Sequence, residues 1–431
     1  MKKKNYLLGM IATGMLLFTA CSNDEDITNG NGNKNATQSF VLQVASSGDG
    51  ISTRAGRPLL SSEAKQTIEN VKIIICDGST VKYAKDIADW NTTGSKEYTT
   101  GGHGRETTIE IPTANKLAAG TYTVYAFGYS NNSDYDLTTI TDIANGATSG
   151  TFNADTKLGF KSGATNTVGE EIFAGSYALT VVEGEGFKKP VVLNRQVAGT
   201  FGYVKEIPYI AGAAKLRLVA ADRNKELVLG QFANFDLTGN GTGNGANVKY
   251  VINGTTTNAD SKVIYEIKLA DWFTKIEDAN SDGLIDAANW KAPASYTDYK
   301  FKNGSVFAGE FLIPFAKKGT DQTFKLELMK EDGSVLRSWN VNLPAADGQM
   351  KEHDLYTWGS NFTSAKNTDT KNCYNVVRNH LYGIGQRALD TTDPTDPNPE
   401  NPDEPESLNN KQELTLRVND NWEVIHKMDI E

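Results

Sequence analysis

Short apolar runs that alternate with period two, cut apart by Gly, Asn and Asp, fill the chain from about residue 55 to 385. Gly120-Thr121-Tyr122-Thr123-Val124-Tyr125-Ala126-Phe127 and Phe324-Lys325-Leu326-Glu327-Leu328 alternate as half-buried antiparallel strands do. Val71-Lys72-Ile73-Ile74-Ile75-Cys76 is an almost unbroken β-branched run, a composition that suits a pleated surface. No long 3.6-residue period competes with these signals. Many short strands between turn clusters predict β-sandwiches. The block is too long for one sandwich, so two are expected, at 55–192 and 193–388. The strand series of the second opens near Val191-Val192-Leu193-Asn194-Arg195-Gln196-Val197-Ala198.

Charge and motif content narrow the function classes. With 53 Asp and Glu against 43 Lys and Arg, net −10, the chain lacks the basic face by which nucleic-acid binders release counterions. It has four histidines and three cysteines. No HExxH, GxSxG elbow, Walker motif or paired CxxC occurs, so an enzyme is not expected and no catalytic residue is assigned. Cys76 and Cys373 fit either a bridge, permitted outside the cytoplasm, or two buried thiols. The Gly239-Asn240-Gly241-Thr242-Gly243-Asn244-Gly245 run lacks the Lys-Ser/Thr and strand–helix setting of a phosphate loop; it predicts a flexible hairpin tip.

The N-terminus is an address. Lys2, Lys3 and Lys4 precede an apolar stretch at residues 6–20, too short to span a bilayer comfortably and shaped like a secretory signal, residues 1–20. It ends Leu17-Phe18-Thr19-Ala20-Cys21, which resembles a bacterial lipobox with Cys21 as the acylated residue. An ordinary cleaved signal with an incidental Cys is the plainer reading. Asp24-Glu25-Asp26 follows at once; it is either a solvated spacer or similar to the surface-export signal of lipoproteins in some anaerobic Gram-negative bacteria. Residues 22–38 are rich in Asn, Gly and Thr, a tether composition. After the signal, no apolar run is long enough to cross a membrane.

Both ends of the mature chain carry strands. Phe40-Val41-Leu42-Gln43-Val44 stands upstream of Ser52-Thr53-Arg54-Ala55-Gly56, where an Arg in a small, polar segment suits a trypsin-like protease. Residues 389–407 are Pro-rich and acidic and predict an extended spacer. Beyond it, in 408–431, Leu414, Leu416, Val418, Trp422, Val424, Met428 and Ile430 all fall on even positions and so share one face of a strand. Such a strand either closes its own sheet or adds to a sheet of another molecule by β-augmentation. Seven apolar side chains at about 1.5–3 kcal/mol each set a gross limit of roughly 10–20 kcal/mol, part of which chain ordering takes back. Donor and acceptor surfaces differ, so exchange grows open filaments.

The lipobox, Thr53-Arg54-Ala55, Glu171-Ile172-Phe173-Ala174-Gly175, Arg195-Gln196-Val197-Ala198 and Tyr374-Asn375-Val376-Val377-Arg378-Asn379 together resemble the fimbrillins. These are type V pilin subunits, and the likeness is to the minor-fimbrium shaft subunit group. The resemblance implies an all-β fold of two consecutive Greek-key (transthyretin-like) β-sandwiches with a detached C-terminal donor strand. It implies an outer-membrane lipoprotein precursor that reaches the surface through lipoprotein export machinery. A surface Arg-specific protease would then cut between Arg54 and Ala55. The removable strand, within the lipidated segment 21–54, includes Phe40, Leu42 and Val44. The donor strand lies within residues 414–430, and the partners are other copies and related pilus subunits. The product is a cell-surface fimbrium supporting adhesion. Contact with the outer membrane is expected only through the precursor's lipid.

Asp278-Ala279-Asn280-Ser281-Asp282-Gly283-Leu284-Ile285-Asp286 has oxygen ligands where an EF-hand-type loop needs them, with Asp278, Asn280, Asp282, the Leu284 carbonyl and Asp286 in the ligand positions. Position twelve is Asn289 instead of Glu, so a weak calcium site and a plain Asp/Asn/Gly turn both stand. No cofactor is otherwise required. Two rival functions remain. One is a surface glycan-binding lipoprotein that stays monomeric, which predicts clustered exposed aromatics among Trp90, Trp272, Trp290, Trp339 and Trp358. The other is a tip or accessory pilus subunit.

Overall fold

A computed structural model describes residues 38–45, 68–98, 104–155, 157–181, 191–229, 250–259, 261–294, 301–343, 352–357, 363–366, 373–387, 404–409 and 413–419. Its first strands are β1 (Gln38–Ala45), β2 (Asn70–Asp77), β3 (Thr80–Ile87), β4 (Lys96–Tyr98), β5 (Gly104–Ile111) and β6 (Gly120–Tyr129). Next come β7 (Lys157–Leu158), β8 (Phe173–Val181), β9 (Val191–Arg195), β10 (Ala198–Lys205), β11 (Ala213–Ala220) and β12 (Asn224–Val228). They are followed by β13 (Tyr250–Ile252), β14 (Gly254–Thr257), β15 (Val263–Lys268), β16 (Val306–Leu312), β17 (Phe324–Lys330) and β18 (Val335–Asn342). The last are β19 (Glu352–Thr357), β20 (Thr363–Lys366), β21 (Leu381–Ile384), β22 (Glu406–Ser407) and β23 (Glu413–Asn419). The described helices are short; α1 (Thr138–Thr141) and α2 (Leu269–Trp272) are single turns. The chain is all-β.

Two large sheets organise it. The first runs β3-β2-β6-β8-β9-β1-β5-β4, and the second runs β15-β11-β17-β18-β23-β21-β10-β16, with β22 on β10. The change of sheet falls at Gln196-Val197, because β9 still pairs with β8 through Phe173↔Arg195 and Ala174↔Asn194. The boundary expected between residues 192 and 193 therefore lies inside a strand. Alternating apolar sequence marks strands but cannot say which sheet each one joins.

Nor are the halves independent. The interior of the first sheet holds Phe40, Leu42, Val44, Ile73, Ile75, Ile109, Val124 and Leu193. The opposite face of β2 and β6 contributes Ile74, Cys76 and Phe127 to a second core that continues into Leu216, Phe307 and Trp339. Burial on both faces is why β2 reads as a continuous apolar run. Lys72 on that face is also buried; its ammonium pairs with Asp86 at 2.7 Å and donates to the Ile143 carbonyl. β7 from the first half pairs with β12 from the second, Leu227↔Leu158. At Gly169 a Cβ would lie 2.8 Å from the Leu312 Cα, so only glycine lets the two segments approach this closely.

Leu42 is fully buried in the interior of the first sheet. Leu42→Ala is expected to cost about 2–5 kcal/mol through lost transfer energy and the cavity left behind. Urea unfolding of the uncut chain measures it.

Candidate functional site

β1 occupies a slot inside the first sheet. It pairs antiparallel with β5 along its whole length, from Gln38↔Ile111 to Ala45↔Gly104. On its other side it pairs parallel with β9 through Leu42↔Val191, Gln43↔Val192 and Val44↔Leu193. Phe40, Leu42 and Val44, named above as the removable strand, point into the core at 2%, 0% and 0% exposure. The Gln38 amide both donates to the Leu117 carbonyl and accepts from the Leu117 N–H, each at 2.8 Å. On the outer face the Gln43 amide donates to Glu106 Oε2 at 2.9 Å, and Glu106 also meets Lys96 at 3.4 Å. Cys21, Arg54 and Ala55 lie outside the described residues.

The C-terminal strand is not detached. β23 sits inside the second sheet, parallel to β18 through Asn340↔Glu413, Val341↔Leu414 and Asn342↔Thr415. Its other side is antiparallel to β21 through Ile384↔Leu416 and Tyr382↔Val418. Leu414 is buried at 1% exposure. An apolar strand attached by a spacer reaches its own sheet at high effective concentration, and periodicity alone cannot separate that outcome from pairing with a partner. The spacer is also less free than its composition suggests. Gln386 and Glu404 exchange backbone hydrogen bonds at 2.8 Å, and β22 runs parallel to β10 through Val204↔Glu406 and Lys205↔Ser407. Trp422, Val424, Met428 and Ile430 lie outside the described residues.

Between the slots lies a buried polar junction built from the three internal segments singled out in the sequence. Arg195 binds Glu171 Oε1 through Nη2 at 2.5 Å and Nε at 2.8 Å, both side chains being buried, and it lies 5.1 Å over the Phe173 ring. Gln196 donates to the Ala174 and Asn194 carbonyls and accepts from Arg378 Nη1 at 3.0 Å. Asn253 donates to Gln196 O and Oε1. Asn379 N donates to Val197 O, and Gly199 N to His380 O. His380 is buried with Nδ1 2.8 Å from the Arg378 carbonyl. At Gly175 a Cβ would meet the Val192 carbonyl at 2.3 Å, which explains the glycine of that segment.

Satisfied charge-assisted hydrogen bonds are the condition for tolerating such groups in a core. The structural role of Glu171, Arg195, Asn253 and Arg378 was not legible beforehand, because polar residues in a linear sequence read as surface. Removing one partner strands the other's charge. Glu171→Ala is expected to destabilise the chain by about 3–5 kcal/mol, measured by chemical denaturation, while a surface pair such as Lys275–Glu277, 3.8 Å apart, is expected to give under about 1 kcal/mol.

A second polar contact bridges the halves. Glu310 on β16 accepts from Asn166 Nδ2 at 3.2 Å and from Phe311 N at 2.9 Å. Desolvation chiefly, with the nearby Glu170 charge adding to it, pushes the Glu310 carboxyl up to about 8. Glu170 is raised as well, first by burial; it accepts from Ser133 Oγ and Asp134 N. A raised carboxyl pKa means that the folded chain holds a proton the unfolded chain has released above about 4.5. This stabilisation is complete below that value and is lost as pH rises through about 8. Glu310→Gln is expected to flatten the decline in melting temperature between pH 5 and 9, read by thermal unfolding across that range.

The Asp278 loop closes on itself. Asp278 accepts from the Asp282 and Gly283 N–H groups at 3.0 and 2.9 Å, and Asp282 accepts from Leu284 N at 2.9 Å. Asn280 donates to Asp282 Oδ2 at 3.0 Å, and Asp286 caps Ala288. Asn289 donates to Glu277 at 3.1 Å. Gly283 takes φ +83°, as the sharp turn requires. Among the described residues no three His, Cys, Asp or Glu side chains cluster closely enough to hold a metal ion.

Trp90, Trp272 and Trp339 are buried at 0%, 2% and 0% exposure, and Trp290 is half-buried, its indole donating to Ser305 O at 2.7 Å. Trp358 lies outside the described residues. Thus three of the indoles that a glycan-binding face would present are core groups. Cys76 and Cys373 are buried free thiols, and burial lifts the Cys76 thiol to about 11.

No family model and no curated protein matches the sequence. Solved structures do resemble the fold. The tip fimbrial protein Mfa3 from Porphyromonas gingivalis, C-terminally truncated, is 11% identical with a TM-score of 0.34, covering 80% of this chain and 93% of that one. The fimbrial anchor protein Mfa2 from the same organism is 14% identical, TM-score 0.32, covering 71% and 82%. A fimbrial assembly protein from Parabacteroides distasonis is 10% identical, TM-score 0.34, covering 81% and 90%. Similarity this distant leaves function to the residues themselves.

Proposed function

We propose that the chain is a structural subunit of a cell-surface fimbrium, exported as a lipoprotein and polymerised by strand exchange. The observation that carries this reading is the position of β1. A strand upstream of Arg54 fills the middle of a sheet, held between β5 and β9 by backbone pairing along both edges. Cutting between Arg54 and Ala55 severs β1 from the rest of the chain. Its loss opens a groove floored by core side chains, a surface that must be refilled. The C-terminal strand, apolar on one face and carried on an acidic spacer, is the matching occupant.

In this reading Cys21 carries the lipid, the export machinery places the precursor on the outer membrane, and an Arg-specific surface protease licenses assembly. The finished fibre contacts other copies and related subunits and supports adhesion. Because β23 closes its own sheet before exchange, the precursor stays monomeric until the groove opens. A calcium ion at Asp278, Asn280, Asp282, Leu284 and Asp286 is no part of this mechanism.

Limited digestion of residues 22–431 with an Arg-specific protease tests the reading. The expected product begins at Ala55 and runs as a detergent-resistant ladder on an unheated gel. Arg54→Ala is expected to abolish both the cut and the ladder while leaving the melting temperature unchanged. A cut chain that stays monomeric favours a tip or accessory subunit. An uncut one defeats the proposal.

A further inference from the structure

β1 and β23 sit in slots of the same kind. Each has one parallel and one antiparallel neighbour, and each parallel ladder runs for three rows. Their sequences also match position by position. Phe40-Val41-Leu42-Gln43-Val44 sets against Leu414-Thr415-Leu416-Arg417-Val418, with a large apolar residue, Leu and Val at the three alternate positions. In β1 those positions are the buried ones. We propose that residues 414–418 of one copy enter the slot of residues 40–44 in another in this register, which puts Arg417 opposite Glu106 as its specificity-determining contact. The inference rests on the function proposed above and adds to it a register and the contact that selects it.

Sliding the strand fails in both directions. Two residues one way puts Asp420 at the position of Val44, which is 0% exposed. Two residues the other way puts Gln412 at the position of Phe40, 2% exposed. Either leaves a polar side chain in an apolar interior, and a shift of one residue turns the whole apolar face outward.

The outer face gives the register its charge logic. Gln43 faces Glu106 across the ladder and donates to its carboxylate from an uncharged amide. Arg417 in that place adds the opposite charge and turns the contact into an ion pair with a guanidinium fork. The incoming strand thus brings to Glu106 a positive charge that the strand it replaces lacks. Thr415 takes the position of Val41, opposite the exposed Thr108. Glu413 falls opposite Glu110 at the exposed end, an unfavourable pair that lies in water.

The register is read by disulfide trapping in the full precursor after cleavage. T108C/T415C, oxidised during assembly, is expected to give a ladder that survives boiling and collapses with reductant. T108C/R417C, one pair out of line and beyond disulfide reach, is expected to give none. Separately, R417E is expected to slow assembly at least tenfold and E106K to restore it, with thermal unfolding of each uncut variant as the folding control. Multimers that form without the 108–415 bridge, or with the 108–417 bridge instead, overturn the register and leave the proposed function standing. Absence of any multimer from the cut wild-type chain overturns both.

Discussion

The first sheet is continuous only because β1 lies in it. In the order β8-β9-β1-β5-β4, β1 is the hydrogen-bonded link between β9 and the β4–β5 pair. Phe40, Leu42 and Val44 together fill the interior at 0–2% exposure, each side chain contributing about 1.5–3 kcal/mol. A strand so placed is ordinarily secured by the chain on both sides. Here its downstream connection runs through Arg54. A cut anywhere in that connection leaves β1 held only by its pairing and packing in the sheet.

The junction carries that dependence across the molecule. β9, which pairs with β1, ends at Arg195; the next residue, Gln196, bonds Arg378. Asn379 and His380 then lead into β21, the strand on which β23 is seated. Few residues separate the two slots, and every polar group named along that path is buried. Among the described residues the halves also share core side chains and the β7–β12 pairing.

Local order was legible in the sequence. The alternation of β6 and β17, the apolar run of β2, the strand at Phe40, Leu42 and Val44, and the even-numbered face at Leu414 all follow from residue composition and spacing. Long-range pairing was not legible. Nothing in the run from Val191 to Ala198 distinguishes the last strand of one sheet from the first of the next. The tail's periodicity fits its own sheet as well as a partner's, and the expectation that it hangs free fails on that ambiguity. Buried polar residues were hidden for another reason: Glu171, Arg195 and Arg378 have the composition of a surface, and only their partners reveal otherwise. The tryptophans err the other way, since Trp90 and Trp339 suggest a binding face but serve as core.

The central claim is that the β1 slot changes occupant, and the fate of the cleaved peptide tests it most directly. Quantitative mass spectrometry after Arg-specific cleavage follows the fragment that ends at Arg54. If another copy's C-terminal strand refills the slot, that fragment appears free in solution, one for each subunit joined to a donor. If it remains bound at full stoichiometry in detergent-resistant multimers, β1 has not left its sheet and strand exchange is not how this chain assembles.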